Sequence, residues 1–257
     1  MSFTVLALAL AVALFLGMLA CMEAGRLLGE RHRVGGAESS RGGVGVVEGS
    51  VFGLLGLMLA FTFSGAARRF DERRHLVVEE VNAIGTAWKR IDMLPPAVQP
   101  EIREGFRRYV DATIAAYRKL PDLTAEEFSR ADEAADDVWA KAAAATRAES
   151  GIPARMTLLL PAMNQVFDIA QARRLATRIH PPAIIYVMLA IVALAGALLA
   201  GWGMAEYRSR SWLHLIAFSL TIASSAYVIL DLEYPTLGLI TVERFDRALM
   251  ELRATMK

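Results

Sequence analysis

The sequence predicts an all-α membrane protein: four transmembrane helices, with a helical bundle inserted between spans two and three and the second span continuing into it. Three observations lead there. Apolar residues concentrate in four stretches, 3–22, 44–66, 183–204 and 212–231, each about 20 residues long. At ~1.5 Å per residue that length matches the ~30 Å hydrocarbon core of a bilayer. Charged residues, 21% of the chain, gather outside those stretches, and no segment alternates polar with apolar residues as a half-buried strand does. The resulting division is 1–67 for spans one and two, 68–182 for the inserted domain, 183–232 for spans three and four, and 233–257 for a C-terminal segment.

The first span is expected to be retained. Met1-Ser2-Phe3-Thr4 carries no positive charge and no small-x-small cleavage site precedes a polar start, so it does not read as a signal peptide. Cys21 is the only cysteine, which excludes an intrachain disulfide and a thiolate metal cluster. Residues 23–43 are polar and glycine-rich and read as a flexible connection. Gly42-Gly43-Val44-Gly45 opens a membrane span instead of following a strand, so it is not a phosphate-cradling loop.

The second span does not stop at the bilayer. No proline occurs from Glu48 to Met93, and Phe70, Val77, Val81, Ile84 and Trp88 form an amphipathic stripe beyond the apolar stretch. The reading is one helix of about 45 residues, ended by Pro95-Pro96. Three more helices follow. Residues 97–120 place Ile102, Phe106, Tyr109, Val110, Thr113 and Tyr117 on one face. Thr124 caps a helix reaching about Glu149, and a third runs over 154–179 toward Pro181-Pro182.

Charge supplies orientation. Arg68, Arg69, Arg73, Arg74, Arg173, Arg174, Arg178, Arg244, Arg247 and Arg253 flank one side of the spans, against Arg26, Arg31, Arg33, Arg41, Arg208 and Arg210 on the other. The positive-inside rule then puts the insert and both termini in the cytoplasm. Within the insert, Asp122, Glu126, Glu127, Asp132, Glu133, Asp136 and Asp137 crowd the far end. They read as a solubilising tip, with an acidic cation site as the sharper alternative.

The second span holds the most information. Gly49, Gly53, Gly56, Ala60 and Ser64 form a strip of small residues that lets another backbone approach closely. Beside it run Phe52, Leu55, Leu59 and Phe63, candidates for an apolar constriction if several copies surround an axis. Glu48, Asp231 and Glu233 lie at span ends, where an acid anchors at the interface or lines an ion path. Asp231 is a candidate partner for Arg68 or Arg69.

Catalytic chemistry has no footing. His32, His75, His180 and His214 lie in four separate segments, and Glu79 and Glu80 are adjacent and diverge by about 100° on a helix. No nucleophile elbow, P-loop or dinucleotide fingerprint is present. No cofactor or metal is expected, and a net charge of +1 does not suggest nucleic-acid binding.

Val47-Glu48-Gly49, the run from Gly53 to Ala66, Arg69-Phe70-Asp71, Arg73-Arg74 and the run from Glu79 to Ala87 together resemble a bestrophin-like family of bacterial membrane proteins. Asp231 followed by Tyr234-Pro235-Thr236-Leu237-Gly238 is similar to that family's second signature, with Tyr-Pro standing where the family carries Pro-Phe. The resemblance implies four spans, a cytoplasmic helical domain, a place in the bacterial inner (plasma) membrane and kinship with bestrophins, pentameric anion channels whose second helix lines a pore with a hydrophobic neck. No acidic cluster here matches the bestrophin calcium clasp. Two functional expectations follow: an oligomeric channel for small anions, held in the lipid bilayer as a homo-oligomer, or a non-conducting sensor or scaffold whose helical domain binds a protein.

Overall fold

The computed structural model describes residues 3–34, 41–118, 125–148, 153–205, 212–234 and 243–257. These form eight α-helices: α1 (Phe3–Val34), α2 (Arg41–Arg90), α3 (Gln99–Arg118), α4 (Ala125–Ala148), α5 (Pro153–Ala176), α6 (Ala183–Met204), α7 (Trp212–Glu233) and α8 (Glu243–Thr255). A single 3-10 turn, Ile91–Met93, follows α2. Among the described residues there is no strand. Four helices, α1, α2, α6 and α7, are long and apolar enough to cross a membrane.

The chain divides into two units, one of residues Met1–Phe70 with His180–Ile240 and the other of Asp71–Ile179 with Thr241–Lys257. Helix α2 contributes to both. It is helical at every residue from Arg41 to Arg90, including 64–70, as its lack of proline and run of helix formers require.

In the first unit α1 packs against α6 and α7. The core holds Met18, Met22, Leu55, Leu189, Ala193, Ala197 and Ile222, with Ala66, Ile229 and Leu232 forming a second cluster. Residues 23–34, expected in a flexible connection, continue α1 instead. Arg26 pairs with Glu30 one turn on, Nε to Oε1 3.0 Å, and Gly25 and Gly29 are buried against α6. Those glycines therefore serve helix contact, where the sequence suggested a turn.

The second unit is a helical bundle built on the far end of α2. Its core contains Ile84, Ala87, Ile91, Ile102, Phe106, Tyr109, Val110, Val138, Leu159, Met163, Val166, Leu249 and Met256. All six residues expected on the apolar face of α3 are buried. On α2, Val77 and Ile84 are buried, with Val81 and Trp88 packed beside the core. Helix α8 adds Leu249 and Met256 to this core. Its Arg253 grips Asp111 through two contacts, Nε–Oδ1 2.8 Å and Nη2–Oδ2 2.7 Å. The predicted cap Thr124 and the acids Asp122, Glu126 and Glu127 fall outside the residues whose structure or side chains are described.

Candidate pore-lining helix and its charged anchor

The membrane half of α2 is the least covered of the four spans. Only 6% of its most apolar window is buried, against 22% for α1 and α6 and 17% for α7. A helix of this length satisfies its own backbone hydrogen bonds, and Ser50 and Thr62 return their hydroxyls to the carbonyls of Val46 (2.8 Å) and Met58 (2.7 Å). Polar groups therefore do not demand a neighbour. What stands open is surface: Gly49, Gly53, Gly56, Ala60 and Ser64 are all exposed, and a methyl group added at Gly49, Gly53 or Gly56 would meet nothing within 4 Å. Next to that strip, Phe61 is 69% exposed and Leu57 52%.

The four neck candidates divide. Phe63 is on the open face, 45% exposed. Phe52 turns inward, edge-on to Phe218 with ring centroids 5.4 Å apart and close over Gly196. Leu59 is partly buried between two clusters. Leu55 is 2% exposed and enclosed by α1, α6 and α7, so its side chain is committed to its own chain's core. The helical repeat explains the division, because residues at 52, 55, 59 and 63 sweep across an arc wide enough to cross from open to covered surface.

The acids at the span ends are also placed. Glu48 is partly buried and lies over α6, its Oε2 3.0 Å from where a Cβ on Gly203 would stand. Asp231 is 2% exposed. Glu233 is wholly buried and lies at the centre of an anchor. The Arg69 guanidinium donates to both of its oxygens, Nε at 3.0 Å to each and Nη2 at 2.8 Å to Oε2. The His180 Nδ1 lies 3.2 Å from Oε1. The His180 ring stacks on Tyr234 at 4.4 Å, and Tyr234 meets Phe3 at 4.5 Å. Arg69 thus pairs with Glu233, where the sequence suggested Asp231. The anchor joins the start of α1, the middle of α2, the entry to α6 and the end of α7. Among the described residues no group of three or more His, Cys, Asp or Glu side chains is arranged to hold a metal ion.

The Bestrophin-like domain family matches residues 12–245. The chain belongs to that family. No curated protein matches this Bestrophin-like chain in sequence. Among solved structures, a mutant of a bacterial bestrophin homologue from Klebsiella pneumoniae superposes with a TM-score of 0.67 at 14% identity, covering 95% of this chain and 99% of that one. The structure of that organism's homologue phased on zinc gives 0.61 at 12% identity, covering 97% and 98%. A third, described as a membrane protein, gives 0.64 at 14% identity, covering 94% and 99%. The resemblance read from the second-span motif therefore holds for family and for fold.

Two features of this Bestrophin-like chain escaped the sequence reading. The first is a seam between α1 and α6, where Gly25, Gly29 and Gly201 bring backbones into contact: a Cβ on Gly201 would stand 1.9 Å from the Met22 carbonyl oxygen, and one on Gly25 2.0 Å from that of Leu198. The signal was present in Ala193, Ala197, Gly201 and Ala205, small residues every fourth position. The second is a buried ion pair in the bundle. Arg173 Nη1 lies 2.7 Å from Glu80 Oε2, and its guanidinium sits 3.5 Å over the Tyr117 ring. Burial pushes the Tyr109 and Tyr117 phenols well above the ordinary tyrosine value, and the Glu80 carboxylate adds to the effect. Glu80 and Arg173 are 93 residues apart in sequence, and no local pattern links them.

Proposed function

We propose that this protein is a bestrophin-like channel for small anions, a closed homo-oligomer of five subunits with α2 around the axis. The single observation supporting this is the bare face of α2. A span whose small-residue strip touches nothing in its own chain leaves packing surface that a second copy of the helix fills, since packing and not hydrophobicity drives association in lipid. Five copies follow from the bestrophin kinship. In this reading the strip of Gly49, Gly53, Gly56, Ala60 and Ser64 meets the neighbouring subunit, and Phe63 beside it contributes to an apolar constriction that gates by dewetting. The Arg69–Glu233–His180 anchor holds α2 at a set angle to α7 and α6. The bundle and both termini lie in the cytoplasm by the arginine distribution, and the chain performs no catalysis.

The test is subunit counting in mild detergent with conductance in planar bilayers. A five-membered ring is expected, with chloride current that rises when Phe63 is changed to Ala. A monomer, or a ring whose current is indifferent to that change, refutes the reading.

A further inference from the structure

We infer that the bundle carries a binding cleft for a small organic ammonium compound. The cleft, of about 400 Å³, lies between α4 and α5 with Tyr109 of α3 beneath it. That volume falls within the range of small-molecule sites. It exists because alanines face each other where larger side chains would close the gap, Ala135 on α4 and Ala170 on α5. Its walls are aromatic: Tyr109 meets Phe167 edge-on at 5.4 Å, and Trp139 backs Phe167 at 6.4 Å.

The rim selects the charge of the occupant. Arg174 is already spent, its guanidinium forked onto Asp132 (Nη1–Oδ2 2.9 Å) and stacked 4.5 Å over Phe128, so no cation is left over for an anionic ligand. Asp136, one turn beyond Asp132, is exposed and makes no hydrogen bond or ion pair among the described residues. An unneutralised carboxylate at the mouth of an aromatic cleft favours an organic cation, which gains both the ion pair and the faces of the rings. A metal ion is disfavoured, because no further ligands converge and half of the lining is apolar.

Choline is a suitable probe, since it carries a quaternary ammonium group. Calorimetric titration of the full-length protein in detergent, against matched sodium chloride, is expected to show saturable binding. The neutral isostere, with a tert-butyl group in place of trimethylammonium, should bind several-fold more weakly. Asp136→Asn is expected to lower choline affinity about fivefold, the scale of one exposed ion pair. The change does not threaten the fold, because Asp136 is exposed. Glu133→Gln, outside the lining, should leave binding unchanged. Absence of saturable binding, equal affinity for choline and its isostere, or indifference to Asp136→Asn overturns the proposal. The measurement needs no current, so its outcome is independent of the channel reading.

Discussion

Gly201→Ala adds one methyl group at the α1–α6 seam, and its cost can be worked from the geometry. The new carbon would stand 1.9 Å from the Met22 carbonyl oxygen, 2.6 Å from the carbonyl carbon and 2.7 Å from its Cα. All three are backbone atoms, so no rotamer change relieves the clash. Reaching a tolerable ~3.0–3.4 Å requires the helices to part by roughly 1.1–1.5 Å, and a gap of that size forfeits about half of the dispersion energy along the seam. The seam includes Met18, Met22, Ala193 and Ala197, all 3% exposed or less, so the loss spreads over several contacts. The expected destabilisation is about 2–3 kcal/mol, the upper part of the range for overpacking a filled core. Gly45→Ala is the matched control: the same substitution in another span, outside the small-residue strip, with nothing within 4 Å of the new carbon. There the better helix propensity of alanine, up to ~1 kcal/mol, decides the outcome. The assay is unfolding in mixed micelles followed by circular dichroism. Wild-type stability for Gly201→Ala, or a larger loss for Gly45→Ala than for Gly201→Ala, refutes the reasoning.

Other outcomes follow from the same structure. Arg69→Ala removes the guanidinium that grips both oxygens of the wholly buried Glu233 carboxylate and should cost about 3–5 kcal/mol, with much of it recovered by the double change Arg69→Met with Glu233→Leu, both read by the same unfolding assay. Arg173→Ala exposes the bundle to the same fault at Glu80; the expected loss is again ~3–5 kcal/mol, detected as a lower thermal midpoint of the far-ultraviolet signal. Gly56→Leu sets a bulky side chain on the open strip and should dissociate the oligomer, measured as particle mass, without lowering subunit helicity. Tyr109 and Tyr117 have folded-state pKa values raised above 10.0, the value they take when unfolded. Their contribution is therefore complete below that pH and declines as pH rises past it, because only the unfolded chain releases those protons. Spectroscopic titration of the chain's six tyrosines should leave at least Tyr109 and Tyr117 protonated at pH ~11 until the bundle unfolds; release of all six before unfolding contradicts the burial.

Much of the fold was legible because lipid imposes length and composition on anything that crosses it. Third-span bounds of 183–204 were recovered without change as α6. The unbroken α2 followed from the absence of proline, and the buried face of α3 from its periodicity. Reading failed where one residue type serves two purposes. Glycine marks turns in water and close helix contact in lipid, so residues 23–34 read as a loop although they continue α1. Leu55 and Phe63 sit eight residues apart on the same second-span motif, yet one is enclosed and the other open.

The sequence by itself determined the number of spans, the all-helical class, the continuity of α2 and the family, because each depends on local hydropathy, propensity or motif spacing. Only the tertiary structure decided which face of α2 is bare, which guanidinium grips Glu233 and which carboxylate Arg173 meets in the bundle. Those depend on which distant segments meet. Arg69 and Glu233 lie 164 residues apart, and a choice between Asp231 and Glu233, two residues apart on α7, is made by the direction each side chain leaves the helix toward a neighbour that hydropathy does not specify.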